Sequence, residues 1–131
     1  MRFMLIKSYG QVQSDAPLIW EWKPADVEAH IAFQIALNET LTESGELVDA
    51  QGLAGPEEAK FVVSDGQSPP VVTDGPYSES KELIAGYRIV EVDSIERAIE
   101  IAAMDSAGPG PDGVPLREAI EVRAIGEIPK G

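Results

Sequence analysis

The apolar positions of this chain follow two periods, and the alternation between them sets out an order of elements. Phe3 to Ile6 is an unbroken apolar run, as in a central strand covered on both faces. After a polar stretch holding Trp20 and Trp22, Pro24 stands at a first helical position, with Asp26 and Glu28 in the first turn. The spacing predicts a helix from there to about Glu43, closed by Gly45. Leu47 to Leu53 and Lys60 to Ser64 read as short strands, and Val71 to Thr73 is placed to pair with the latter across Asp65-Gly66. Tyr87 to Val92 is a further strand. Asp93 with Glu96 resembles a capping box, opening a helix with apolar positions Ile95, Ala98, Ile99 and Ala102. Ser106 to Pro115 is a loop by composition, and Ala119 to Ile125 alternates as a strand, with Ile120, Val122 and Ala124 on one face.

This order predicts one α+β domain over residues 1–131, a ferredoxin-like split βαβ with an inserted β-hairpin. Two helices cover only one face of such a sheet. The other face is expected to be apolar and open, so a homodimer is expected to cover it.

Composition narrows the chemistry. At 131 residues the chain suits a single core, and 44% hydrophobic residues place it among globular proteins. The apolar run at the N-terminus is too short for a signal segment or membrane span, so a cytoplasmic protein without membrane association is expected. With no cysteine and one histidine, thiolate chemistry and multi-histidine metal sites are excluded within one chain. Acidic residues number 23 against 10 basic, a formal charge of −13 that would repel a nucleic-acid backbone. No Gly-rich phosphate loop, Gly-x-Ser-x-Gly elbow or metal motif is present, and no cofactor is expected.

Within the apolar arc of the first helix (Val27, Ile31, Phe33, Ile35, Leu37, Leu41), His30, Gln34 and Asn38 recur at i, i+4 and i+8. They form one polar stripe on the side facing the sheet. Either the stripe borders a polar pocket with His30 as its acid or base, or His30 is a hydrogen-bonded core histidine with Gln34 and Asn38 turned to solvent or a second subunit. Trp20 and Trp22 alternate, and so either wall a pocket mouth or close an edge of the core.

The stretch from Asp74 to Glu82, DGPYSESKE, carries more charge than a turn requires. Asp74 can accept backbone bonds, Gly75 permits positive φ and Pro76 fixes the exit, but exposed ions like Glu79, Lys81 and Glu82 add little stability. This stretch resembles the DGPF(A)ETKE signature of the YCII-related, or DGPF-domain, family, with Tyr77, Ser78 and Ser80 as mild departures. The similarity continues through RFMLIK, SGELV, Gly52-Leu53, Gly86-Tyr87 and IEVRAI, where Ala124 replaces a usual proline, while the loop Ser106 to Pro115 is longer than the family leads one to expect. The resemblance implies a cytoplasmic, usually bacterial dimeric α+β barrel, mostly of unestablished activity. It also implies a histidine early in the first helix, here Ala29-His30, beside a pocket with an acidic partner, for which Asp74 is the first candidate and Glu43 the second. The candidate site is therefore His30 and Asp74 as catalytic pair, with Gln34, Asn38, Tyr77, Lys81 and Glu82 as ligand contacts, Lys81 serving an anionic group. Two functions compete: acid–base chemistry on a small polar or anionic metabolite, and a non-catalytic regulatory or interaction dimer linked to transcription control.

Overall fold

A computed structural model describes residues 1–9, 21–75 and 83–126. Among these residues, six strands and two α-helices follow one another as β1 (Arg2–Tyr9), α1 (Pro24–Glu43), β2 (Leu47–Gly52), β3 (Lys60–Val63), β4 (Val71–Asp74), β5 (Leu83–Glu91), α2 (Ile95–Ser106) and β6 (Ile120–Ala124). The main sheet is antiparallel with order β2-β5-β1-β6. With β3 and β4 set aside, this is the ferredoxin-like order, and β3 and β4 pair with each other as a separate hairpin inserted between β2 and β5.

Local chemistry accounts for most boundaries. Pro24 begins α1, where its missing N–H costs nothing, and Gly45 ends it at φ 76°. At the hairpin, Asp65 Oδ1 accepts from the backbone N–H of Gln67 (2.9 Å) and Ser68 (2.8 Å), and Gly66 takes φ 81°. The cap of α2 differs from expectation: Ser94, not Asp93, is the N-cap, its hydroxyl accepting from Arg97 N at 3.3 Å.

The core lies between the helices and one sheet face, formed by Phe3, Leu5, Val90, Val92, Leu37, Leu41, Ala98, Ile101 and Ala102. The phase of α2 is rotated from the expected one. Ala98 and Ala102 are buried, but Ile95 and Ile99 are exposed, and the inward stripe continues through Ile101 to Asp105. On α1, Ile31 and Ile35 also face outward, while His30, Leu37 and Leu41 are buried. The sheet face away from the helices is apolar only along its middle. Met4, Ile6, Tyr87 and Ile89 run between Asp49 and Gln51 on one flank and Glu121 and Arg123 on the other.

Candidate functional site

Strand alternation that turns Phe3 and Leu5 into the core turns Lys7 inward as well, and the alternation carrying Val90 inward does the same for Arg88. Two cations thus reach the helix layer. Arg88 is only 4% exposed and Asp105 only 2%. A charge in that position must be paired or it costs several kcal/mol.

Each acceptor comes from the helices. Arg88 donates from Nε to Asn38 Oδ1 (2.7 Å), from Nη1 to Asp105 Oδ2 (2.5 Å), and from Nη2 to Gln34 Oε1 (2.6 Å) and the Gln34 carbonyl (3.3 Å). Gln34 Nε2 in turn donates to Asp105 Oδ1 at 2.9 Å. Lys7 Nζ lies 2.8 Å from the same Asp105 oxygen and 3.3 Å from Glu118 Oε1. Among the described residues, no buried side-chain nitrogen or oxygen lacks a partner. Burial draws the Arg88 guanidinium below its usual range, and the Asp105 carboxylate acts against that pull.

The polar stripe of α1 therefore does face the sheet. There Gln34 and Asn38 hold Arg88. Arg88, Asp105 and Lys7 are the residues that sequence reasoning missed. The signal was present in two places: a charged residue between Gly86 and Val90 on an inward strand face, and an aspartate four residues after buried Ile101.

His30 begins the same stripe one turn earlier. Its Nδ1 lies 3.0 Å from the carbonyl oxygen of Pro109, and Trp22 meets the ring edge-on, with centroids 5.4 Å apart at 88°. A carbonyl can only accept, so Nδ1 carries the hydrogen, and in the neutral ring the lone pair falls on Nε2. The orienting group is thus a backbone carbonyl rather than a carboxylate.

The acidic partners named from sequence stand elsewhere. Asp74 ends β4, paired in register with Lys60, whose ammonium it binds; among the described residues no bond joins it to His30. Glu43 lies thirteen residues beyond His30, about 20 Å along α1 at 1.5 Å per residue. Gly75 does not use positive φ; a Cβ there would lie 2.6 Å from the Phe61 ring, and its N–H donates to Ala59 O at 2.7 Å. Trp20, Tyr77, Glu79, Lys81 and Glu82 lie outside the described residues.

The elements nonetheless converge. Gln34 and His30 lie toward the start of α1, whereas Glu46 N donates to Leu41 O near its end, beside Leu47 paired with Val90. The start of α1 therefore shares one end of the sheet with Leu83, which pairs with Tyr9, and with Asp105 at the end of α2. An open depression of about 390 Å³ runs along α1, lined by Ile35, Asn38, Glu39, Thr42 and Glu43. No group of three or more potential metal ligands occurs among the described residues. None of their helices is long and apolar enough to cross a membrane.

Strand order, the helices on one face and the inserted hairpin define an α+β domain of the ferredoxin-like class, with a buried histidine and an internal ion cluster at one end. The chain belongs to the YCII-related domain family, whose model matches residues 1–118. Among curated proteins, none matches it.

Proposed function

We propose that this protein binds a small polar metabolite at the end of the sheet where α1 begins, with His30 Nε2 as hydrogen-bond acceptor. On a substrate with a labile proton, the same nitrogen is the general base. The observation that carries this reading is the Nδ1 bond to Pro109, which leaves the lone pair of the neutral ring on Nε2. Trp22 supplies an apolar wall beside the ring.

Charge favours a neutral polar ligand over an anionic one. At this end Lys7, Arg88 and Lys23 each already face a carboxylate, respectively Asp105 with Glu118, Asp105, and Asp112. Tyr77, Lys81 and Glu82, which precede Leu83 in the chain, remain the further ligand contacts of this reading. Asp74 is assigned to the hairpin, through Lys60, rather than to His30.

A homodimer in the cytoplasm belongs to the same proposal. The half-buried Met4, Tyr87 and Ile89 of that strip suit a second copy, as do Val62, Val63, Val71 and Val72, all more than half exposed on the hairpin. Light scattering should give twice the 14.0 kDa chain mass; a monomer would retire the dimer.

A single histidine makes the site directly readable. In protein labelled with 15N-histidine, a panel of small hydroxy acids, amino acids and sugars should include compounds that move the Nε2 resonance. His30→Ala should abolish their heat of binding while the fold persists. A panel that leaves Nε2 unmoved sinks the reading, and binding without turnover leaves the regulatory dimer as its outcome.

A further inference from the structure

Residues 107–117 form a loop closed largely on itself. Gly110 N donates to Val114 O (2.7 Å), Leu116 N to Gly108 O (2.8 Å), and Arg117 N to Ser106 O (2.8 Å). Its base is tied to the segment leading into β6 by Ser106 Oγ donating to Glu118 O at 2.6 Å. Two of its non-glycine residues, Asp112 at φ 59° and Arg117 at φ 57°, occupy the left-handed region that L-residues avoid. Gly108 packs so closely that a Cβ would meet the Phe33 ring at 2.9 Å and the Asp105 carbonyl at 3.1 Å. The carbonyl that receives the His30 proton, Pro109 O, is the next in the chain.

We infer that this loop is a positioning strap for His30: closure of residues 107–117 sets which ring nitrogen carries the hydrogen, through Pro109 O. The inference rests on His30 as the site residue and adds what makes it a directed acceptor. Neither the helix nor the sheet supplies the Nδ1 partner, so the ring's tautomer is tied to the loop and not to the core. With the strap shut, Nδ1 is the donor and Nε2 presents its lone pair. With it open, the two nitrogens exchange the hydrogen and Nε2 is an acceptor only part of the time. The strap is held by its backbone bonds, by Ser106, by the seat of Gly108 against Phe33 and by one exposed ion pair, Lys23 to Asp112 at 3.7 Å, while the positive φ of Asp112 and Arg117 works against its closure.

The test is the 15N spectrum of the single histidine ring, without ligand, at a pH where the ring is neutral. The intact protein should show the hydrogen on Nδ1. Gly108→Ala, which pushes the strap from Phe33, should move the two nitrogen shifts toward one another, as in a freely exchanging imidazole. A ring protonated on Nε2 in the intact protein overturns the inference, as does a folded Gly108→Ala that keeps the hydrogen fully on Nδ1. Should Gly108→Ala not fold, Arg117→Gly tests the same loop by relieving a positive-φ residue. It should keep the Nδ1 hydrogen and slow amide exchange at Leu116 by about threefold; exchange that is unchanged or faster counts against a strained strap. Because no ligand is present, the outcomes separate: a ring protonated on Nε2 overturns the strap and the acceptor role of Nε2 together, a folded Gly108→Ala that keeps the Nδ1 hydrogen overturns the strap alone, and a failed metabolite panel leaves the strap standing.

Discussion

The two ends of the sheet use the same residue types for opposite purposes. At the far end Arg97 clamps Glu46 with Nε and Nη2 at 2.8 and 2.9 Å and reaches Glu100, while Arg2 pairs with Glu91, all at least partly open to water. At the near end Arg88 and Asp105 make a similar pair, but both are sealed within the helix layer. An ion pair in water is a small bonus; the same pair out of water is an obligation, because neither member can lose its partner without being stranded. The far end therefore tunes stability, and the near end constrains which conformation the layer beneath His30 adopts.

Substitutions should separate the ends by magnitude. The largest loss is expected from Asp105→Asn, which strands Arg88 and weakens the Lys7 contact; urea unfolding should show about 3 kcal/mol less stability. Gln34→Ala comes next, at about 1–2 kcal/mol, since Arg88 Nη2 and one Asp105 oxygen each lose an acceptor or donor. A near-end loss no larger than a far-end one would break the contrast.

The far end is sharpened by pH. Hydrogen bonds from Arg97, then Ser44, hold Glu46 down to about 2 from an ordinary 4.5. A carboxylate depressed on folding adds stability that is complete above its unfolded value and disappears as pH falls through the folded one. Between about pH 4.5 and 2, Glu46→Gln should therefore lose its destabilising effect relative to the parent, a difference of about 1 kcal/mol after allowance for water around Arg97. The smallest effect is expected from Arg2→Ala, whose partner Glu91 is half exposed: less than about 0.5 kcal/mol by thermal unfolding.

Much of this architecture was legible in the chain. Pro24 and Gly45 bound α1, Asp65-Gly66 marks the hairpin, and the alternation of Ile120, Val122 and Ala124 places β6, because each depends on neighbours in sequence. The α1 stripe of His30, Gln34 and Asn38 was legible for the same reason. Its partners were not. Arg88 is separated from Gln34 by 54 positions and from Asp105 by 17, and only the strand order brings them together. Pro109 was hidden more deeply, since a loop read from its prolines and glycines does not disclose which carbonyl it will turn toward a helix 79 residues away. The phase of α2 was misread because Ile95 and Ile99 are as apolar as buried Ile101, and hydrophobicity alone cannot choose between overlapping stripes.

The β3–β4 hairpin carries a different lesson. Leu53 N donates to Ala85 O at 2.9 Å, so the two chain ends that leave for the hairpin already lie side by side on the main sheet. The paired strands β3 and β4 are thus a module hung on a completed scaffold. The tip between them, around Asp65-Gly66, can be lengthened or trimmed without rethreading the four-stranded sheet, which makes it a ready place to graft a tag or foreign loop.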